Sequence, residues 1–154
     1  MSANALVSTA LLVSLITVPQ MTHADTYTAK DLRIAIPVTA EERNQTLYEM
    51  RELLHALFFI NSALSNKDFK AMIAQAKPVG PLLNKFPDSM KARLPEEFVQ
   101  LGYGLHEAFD NLVRNAQDHQ NLALSLRDQS DILTYCSGCH DMYRFEVRTN
   151  ISNK

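Results

Sequence analysis

An all-α fold, a single antiparallel four-helix bundle, is what this sequence predicts, and three observations predict it. Apolar residues recur at steps of three and four through most of the chain beyond Thr39. Glycine occurs only 4 times in 154 residues, which disfavours turn-rich all-β folds and glycine-rich phosphate loops. No stretch alternates polar and apolar side chains over a useful length, so no strand is expected. The length suits one domain with one core, and a hydrophobic content of 46% is enough to fill it. Lys+Arg 15 against Asp+Glu 17 leave a net charge of -2, so nucleic acid is not an expected partner.

Ahead of the bundle, residues Ala5 to Val18 are almost all small or apolar. A run of about 14 residues is short for a bilayer span, which needs roughly 20. It fits the apolar region of a secretory signal, with Thr22 and Ala24 as small residues before a cleavage site at Asp25. No Lys or Arg precedes the run, which departs from the usual signal pattern; an uncleaved anchor or a buried helix is the alternative. No Cys lies near the cleavage site, so a lipid anchor there is not expected. Residues 1–24 are thus read as a signal peptide and 25–154 as one exported domain, with no membrane attachment after cleavage.

From Asp25 an irregular lead is expected up to Ile36-Pro37-Val38. Thr39-Ala40-Glu41-Glu42 then has the form of a capping box, opening the first helix with acidic residues in its first turn. Leu47, Met50, Leu54, Leu57 and Leu64 share one face, widened by Leu53, Phe58, Phe59 and Ile60. So broad a surface suits two neighbouring helices or a partner subunit, including a homodimer through this helix. A short second helix is expected from about Asn66, with Phe69, Met72, Ile73 and Ala76, ending before Pro78. Pro78, Pro81 and Pro87 make the next stretch an irregular connection, since none offers an amide donor.

The third helix begins at Pro95, followed by Glu96 and Glu97. Its inward face is Phe98, Leu101, Leu105, Ala108, Leu112 and Ala116. Gly102 and Gly104 within it weaken it by about 1 kcal/mol each relative to Ala. The fourth helix is expected from about Gln120 to Val147, with Leu122, Leu126, Ile132 and Leu133 inward. Beyond it, Arg148 to Lys154 reads as a frayed polar tail.

Both cysteines of the chain fall in Cys136-Ser137-Gly138-Cys139-His140, the Cys-x-x-Cys-His attachment pattern of c-type haem. Two thiols one helical turn apart can each add to a vinyl group on one edge of a porphyrin. The His directly after the second thiol then supplies an axial ligand to the iron. A disulfide between the two is strained within a helix. A thioredoxin-type pair belongs at the start of a helix after a strand. A zinc site needs further ligands, and His55, His106 and His119 are scattered on other helices.

The motif continues as Cys-x-x-Cys-His-x-x-Tyr-Arg through Tyr143 and Arg144, near the end of the last of four helices. In this the chain closely resembles the cytochrome c-prime family of class II c-type cytochromes. Arg43-Asn44-Gln45-Thr46-Leu47 matches that family's first-helix Arg-x-x-x-Leu element, whose last residue faces the distal side of the iron. Asn84-Lys85-Phe86-Pro87-Asp88-Ser89 is similar to the inter-helix connection of some low-spin members. The resemblance implies one covalent haem c on Cys136 and Cys139, His140 on the iron, and Arg43, Leu47, Tyr143 and Arg144 around the group. Tyr143 and Arg144 would lie one turn beyond His140, Tyr143 near the haem edge and Arg144 beside a propionate.

The sixth iron position separates two expectations. Under Leu47 it stays open, and NO or CO could bind there. A shift of one helical turn presents the Met50 thioether instead, giving a low-spin carrier. His55 is read as a surface residue and Phe58-Phe59 as core or dimer packing. No acid–base or nucleophilic constellation accompanies the motif. The expected function is therefore electron transfer with a redox partner protein in the periplasm, not enzymatic turnover. A small thiol–disulfide oxidoreductase using Cys136 and Cys139 is the competing expectation.

Overall fold

Helices do dominate, and each begins where local chemistry lets it. The computed structural model describes residues 30–80 and 86–149. The expected signal segment, its cleavage site, Pro81, Asn84 and Lys85 lie outside them. The chain divides into a leading unit, Met1–Asp31, of which Lys30 and Asp31 are described and exposed, and a second unit, Leu32–Lys154. The elements of the second unit are β1 (Ile34–Val38), α1 (Ala40–Ser65), α2 (Phe69–Ala76), α3 (Asp88–Lys91), α4 (Glu96–His119), α5 (Leu122–Met142) and β2 (Tyr143–Val147).

The capping box opens α1 as expected. Glu42 N donates to Thr39 Oγ1 at 3.1 Å and Thr39 N donates to Glu42 Oε2 at 2.8 Å. The helix runs to Ser65, after which Lys67 adopts a left-handed φ of 55° and the chain turns. That turn delays α2 to Phe69, capped by Asp68 Oδ1, which accepts from Ala71 N. Within the expected irregular connection, Asp88–Lys91 forms one helical turn behind Pro87. Pro95 is the N-cap of α4, not its first residue, and α4 ends at Gln120 with a left-handed φ of 43°. Asn121 caps α5 by accepting from Leu124 N.

Two strands correct the expectation of a strandless chain. α5 stops at Met142 instead of Val147, and Tyr143 to Val147 pairs in parallel with Ile34 to Val38. The register runs from Ile34 opposite Tyr143 to Val38 opposite Val147. Arg148, expected in a frayed tail, extends the pairing by donating its amide to Val38 O at 3.0 Å. The physical reason is composition: both segments are β-branched or aromatic at alternate positions, which suits a pleated, half-buried surface. Pro37 is tolerated because both strands of a two-stranded sheet are edges.

The main core joins Ala56, Ile60 and Leu64 of α1, Met72 and Ala76 of α2, Phe109 and Leu112 of α4, and Ile132 of α5. Helix contacts run α1 to α2, α2 to α4 and, most extensively, α4 to α5, while α1 meets α5 only lightly. The expected inward face of α4 is observed, every one of its residues buried or half-buried. The face expected for α1 is observed only in part. Ile60 and Leu64 are buried, and Leu53 and Leu57 pack on the core. Leu47, Leu54, Phe58 and Phe59 are exposed, while Glu42, Thr46, Ala56 and Ala63 turn inward. On α5, Ile132 is buried but Leu126 and Leu133 are exposed.

A second, smaller core lies at the sheet. Ile36 and Val38 of β1, Met90 of α3 and Tyr143 of β2 are buried together, with Phe98, Leu101 and Cys139 packed against them. Phe98 meets Tyr143 and Phe145 edge to face, at 5.3 Å and 5.8 Å between ring centroids. This second core positions the C-terminal end of α5.

Candidate functional site

The last turns of α5 carry Cys136, Cys139 and His140, so helical pitch alone places the two thiols one turn apart. Both cysteines are free and half-buried. Cys139 packs into the core at the sheet, against the cluster that Ile36, Val38 and Tyr143 build. The His140 side chain is exposed. Its main-chain carbonyl accepts from Arg33 Nη1 at 3.3 Å, across 107 residues of sequence.

Burial pushes the Cys139 thiol up to about 11, with the neighbouring Cys136 adding to the rise. Burial also raises Cys136. Both therefore stay protonated at neutral pH. A thiol–disulfide catalyst needs the opposite, a thiolate favoured by a helix N-terminus or a nearby cation. These two lie at the carbonyl end of their helix, where the dipole disfavours negative charge.

Tyr143 and Arg144 are not one turn farther along the helix. They open β2, because the chain leaves helical geometry at Tyr143, whose φ is -127°. Tyr143 is buried under the sheet, where burial first, then the charges of Glu97 and Cys139, raise its phenol above the ordinary value. Arg144 is half-buried on the strand and pairs with Glu146 at 3.2 Å.

The first-helix residues lie elsewhere. Arg43, Leu47, Met50, Leu54 and Phe58 follow one another at steps of three and four, a stripe beside the buried face of α1. Leu47, Leu54 and Phe58 are 37%, 65% and 66% exposed, so this apolar stripe is not part of the core. Phe58 and Phe59 pack edge to face at 5.2 Å on the exposed surface of α1, which rules out the core half of the expectation of core or dimer packing. α5 has a matching feature. Leu126 and Leu133, 46% and 47% exposed, share a face with His140 at intervals of two turns, and Cys136 falls between the last two.

An open cleft of about 580 Å³ lies between α4 and α5, lined by Glu96, Glu97, Gln100, Leu101, Tyr135 and Met142. It is not the imidazole's cleft. His140 is two residues from Met142 and so points to roughly the opposite side of the helix.

His55 and His106 are engaged away from the motif. His55 lies on the surface beside Glu52 at 3.7 Å, and His106 Nδ1 is 2.7 Å from Val79 O. Among the described residues no three His, Cys, Asp or Glu side chains gather around one point as a metal-ion cage. None of the described helices is long and apolar enough to cross a membrane.

Sequence reasoning missed the residues that hold the site from the other end of the chain: Arg33, Ile36 and Val38. The signal was present in the alternation of Ile34, Ile36 and Val38, and again of Tyr143, Phe145 and Val147. Comparison with family models, curated proteins and solved structures finds no match for this chain.

Proposed function

We propose that this chain is an exported mono-haem c-type cytochrome, a four-helix bundle akin to cytochrome c-prime, that transfers electrons and does not turn over a substrate. The observation that carries the reading is the donor set on α5: two free thiols one turn apart with an exposed imidazole directly after the second. Each S–H would add across one vinyl double bond, sulfur to one carbon and hydrogen to the other. Nothing is oxidised or reduced, and no group leaves. A haem c held there supplies the Fe(III)/Fe(II) couple.

The surroundings support this assignment. The imidazole of His140 stands on the same face as the uncovered Leu126 and Leu133, so an apolar ring held by it would lie along apolar surface. α1, which meets α5 only lightly, bears the second uncovered stripe, that of Leu47, Leu54 and Phe58. In this reading Arg43 and Leu47 approach the distal side. Leu47 has no lone pair to offer the iron, which leaves the sixth position to a diatomic gas such as NO or CO. Met50 is the alternative ligand, half-buried on the same stripe. The partner is a redox protein of the periplasm.

The ferric optical and EPR spectra of the purified protein test the reading. A high-spin signal without a Met–iron charge-transfer band is expected with Leu47 over the iron, and a low-spin signal with that band assigns Met50. His140→Ala should abolish proximal ligation in either case. An unchanged spectrum in that variant would show that another side chain is the proximal ligand, whereas a colourless protein with two titratable thiols would overturn the assignment and favour the oxidoreductase.

A further inference from the structure

We infer that Arg33 and strand β1 form the positioning device for the His140 imidazole, holding the last turn of α5 from the opposite end of the domain's sequence. This rests on the haem reading above.

A helix ends with carbonyls that have no intrahelical donor. In α5 the last i→i−4 bond runs from the C-cap Tyr143 N to Cys139 O, and the next carbonyl, His140 O, accepts from the guanidinium of Arg33. The last turn of α5 has no Lys or Arg of its own, so Arg33 brings a permanent cation to the negative end of the helix dipole. Arg33 directly precedes β1, and the ladder begins at once with Ile34 opposite Tyr143.

The backbone around His140 is thus held at three successive points. On one side the Cys139 side chain packs against the cluster containing Ile36 and Val38. The His140 carbonyl is bound by Arg33. On the other side Tyr143 is locked into the sheet, buried against Phe98. The imidazole projects into solvent, so its direction follows from this backbone. Groups behind a ligand that fix its orientation tune the metal without touching it. The thioether links do not depend on Arg33, so the device can be weakened without losing the group.

The test uses the exported protein, matured with haem ligation, as Arg33→Ala and Arg33→Lys beside the parent chain. In Arg33→Ala the haem should remain covalently attached and the helix content unchanged. Its reduction potential and ferric EPR g-values should shift, and exchange of the Tyr143 amide should speed up by roughly threefold to tenfold. Arg33→Lys, which keeps a cationic donor, should restore most of each change. An Arg33→Ala protein matching the parent in potential, g-values and exchange would overturn the inference. So would a Lys variant as altered as the Ala variant, since that outcome assigns the effect to lost packing. A parent chain carrying no haem defeats the haem reading itself and with it the role toward an iron. Amide exchange then shows separately whether the clamp on α5 exists.

Discussion

Glu42 was legible as the closing residue of a capping box, three positions after Thr39, but the structure gives it a second task. Besides accepting from Thr39 N, its carboxylate takes Arg93 Nη2 at 2.7 Å, with the two side chains only 10% and 12% exposed. Burial alone would raise its pKa. The bond from the Thr39 amide, then the bond and charge of Arg93, outweigh that and hold it below the ordinary 4.5. The unfolded chain therefore takes up this proton first as the solution is acidified. The pair contributes fully above pH 4.5 and loses its contribution as pH falls through the lower folded value. Glu42→Gln should cost about 1–3 kcal/mol at neutral pH, and urea unfolding curves should show the difference shrinking in acid. Curves for parent and variant that stay parallel down the acid limb would contradict it. Arg93 could not be foreseen as the partner because it lies 51 residues away in the chain. The Cys-x-x-Cys-His motif proposed to hold haem was readable for the converse reason: it needs only five consecutive residues.

Among the elements, α4 was legible and α1 was not. On α4 the apolar residues occupy one side, so a period of three and four names its buried face without ambiguity. On α1 they occur most of the way round, and the stripe through Leu47 and Leu54 competes with the one through Ile60 and Leu64. Tertiary contact with α2 decided between them. The strands escaped notice because each is short and pairs with a segment at the far end of the chain. Gly104 also means more than helix weakening. A Cβ there would overlap the Tyr135 ring, so the glycine admits the close crossing of α4 and α5 beside Cys136. Gly104→Ala gains about 1 kcal/mol in helix propensity. Displacing the ring should reverse that gain in the parent chain, for a net loss of about 1 kcal/mol. With Tyr135→Ala the same substitution should stabilise. A double-mutant cycle by chemical denaturation should give a coupling of about 1–2 kcal/mol, and strict additivity would contradict the crossing as described.

The molecule as a whole is mostly helical, with a two-stranded parallel sheet closing the second unit. That sheet brings β1 to the residues that follow His140, so the first and last described strands meet beside the proposed haem site. The exposed apolar stripes on α1 and on the His140 face of α5 are the surfaces that the proposed haem would cover. Whether the group is there is decided by weighing the molecule. Intact mass spectrometry of denatured protein, exported from a cell with a working haem-ligation system, should give the processed polypeptide plus one haem. The bare polypeptide mass would contradict covalent attachment at Cys136 and Cys139.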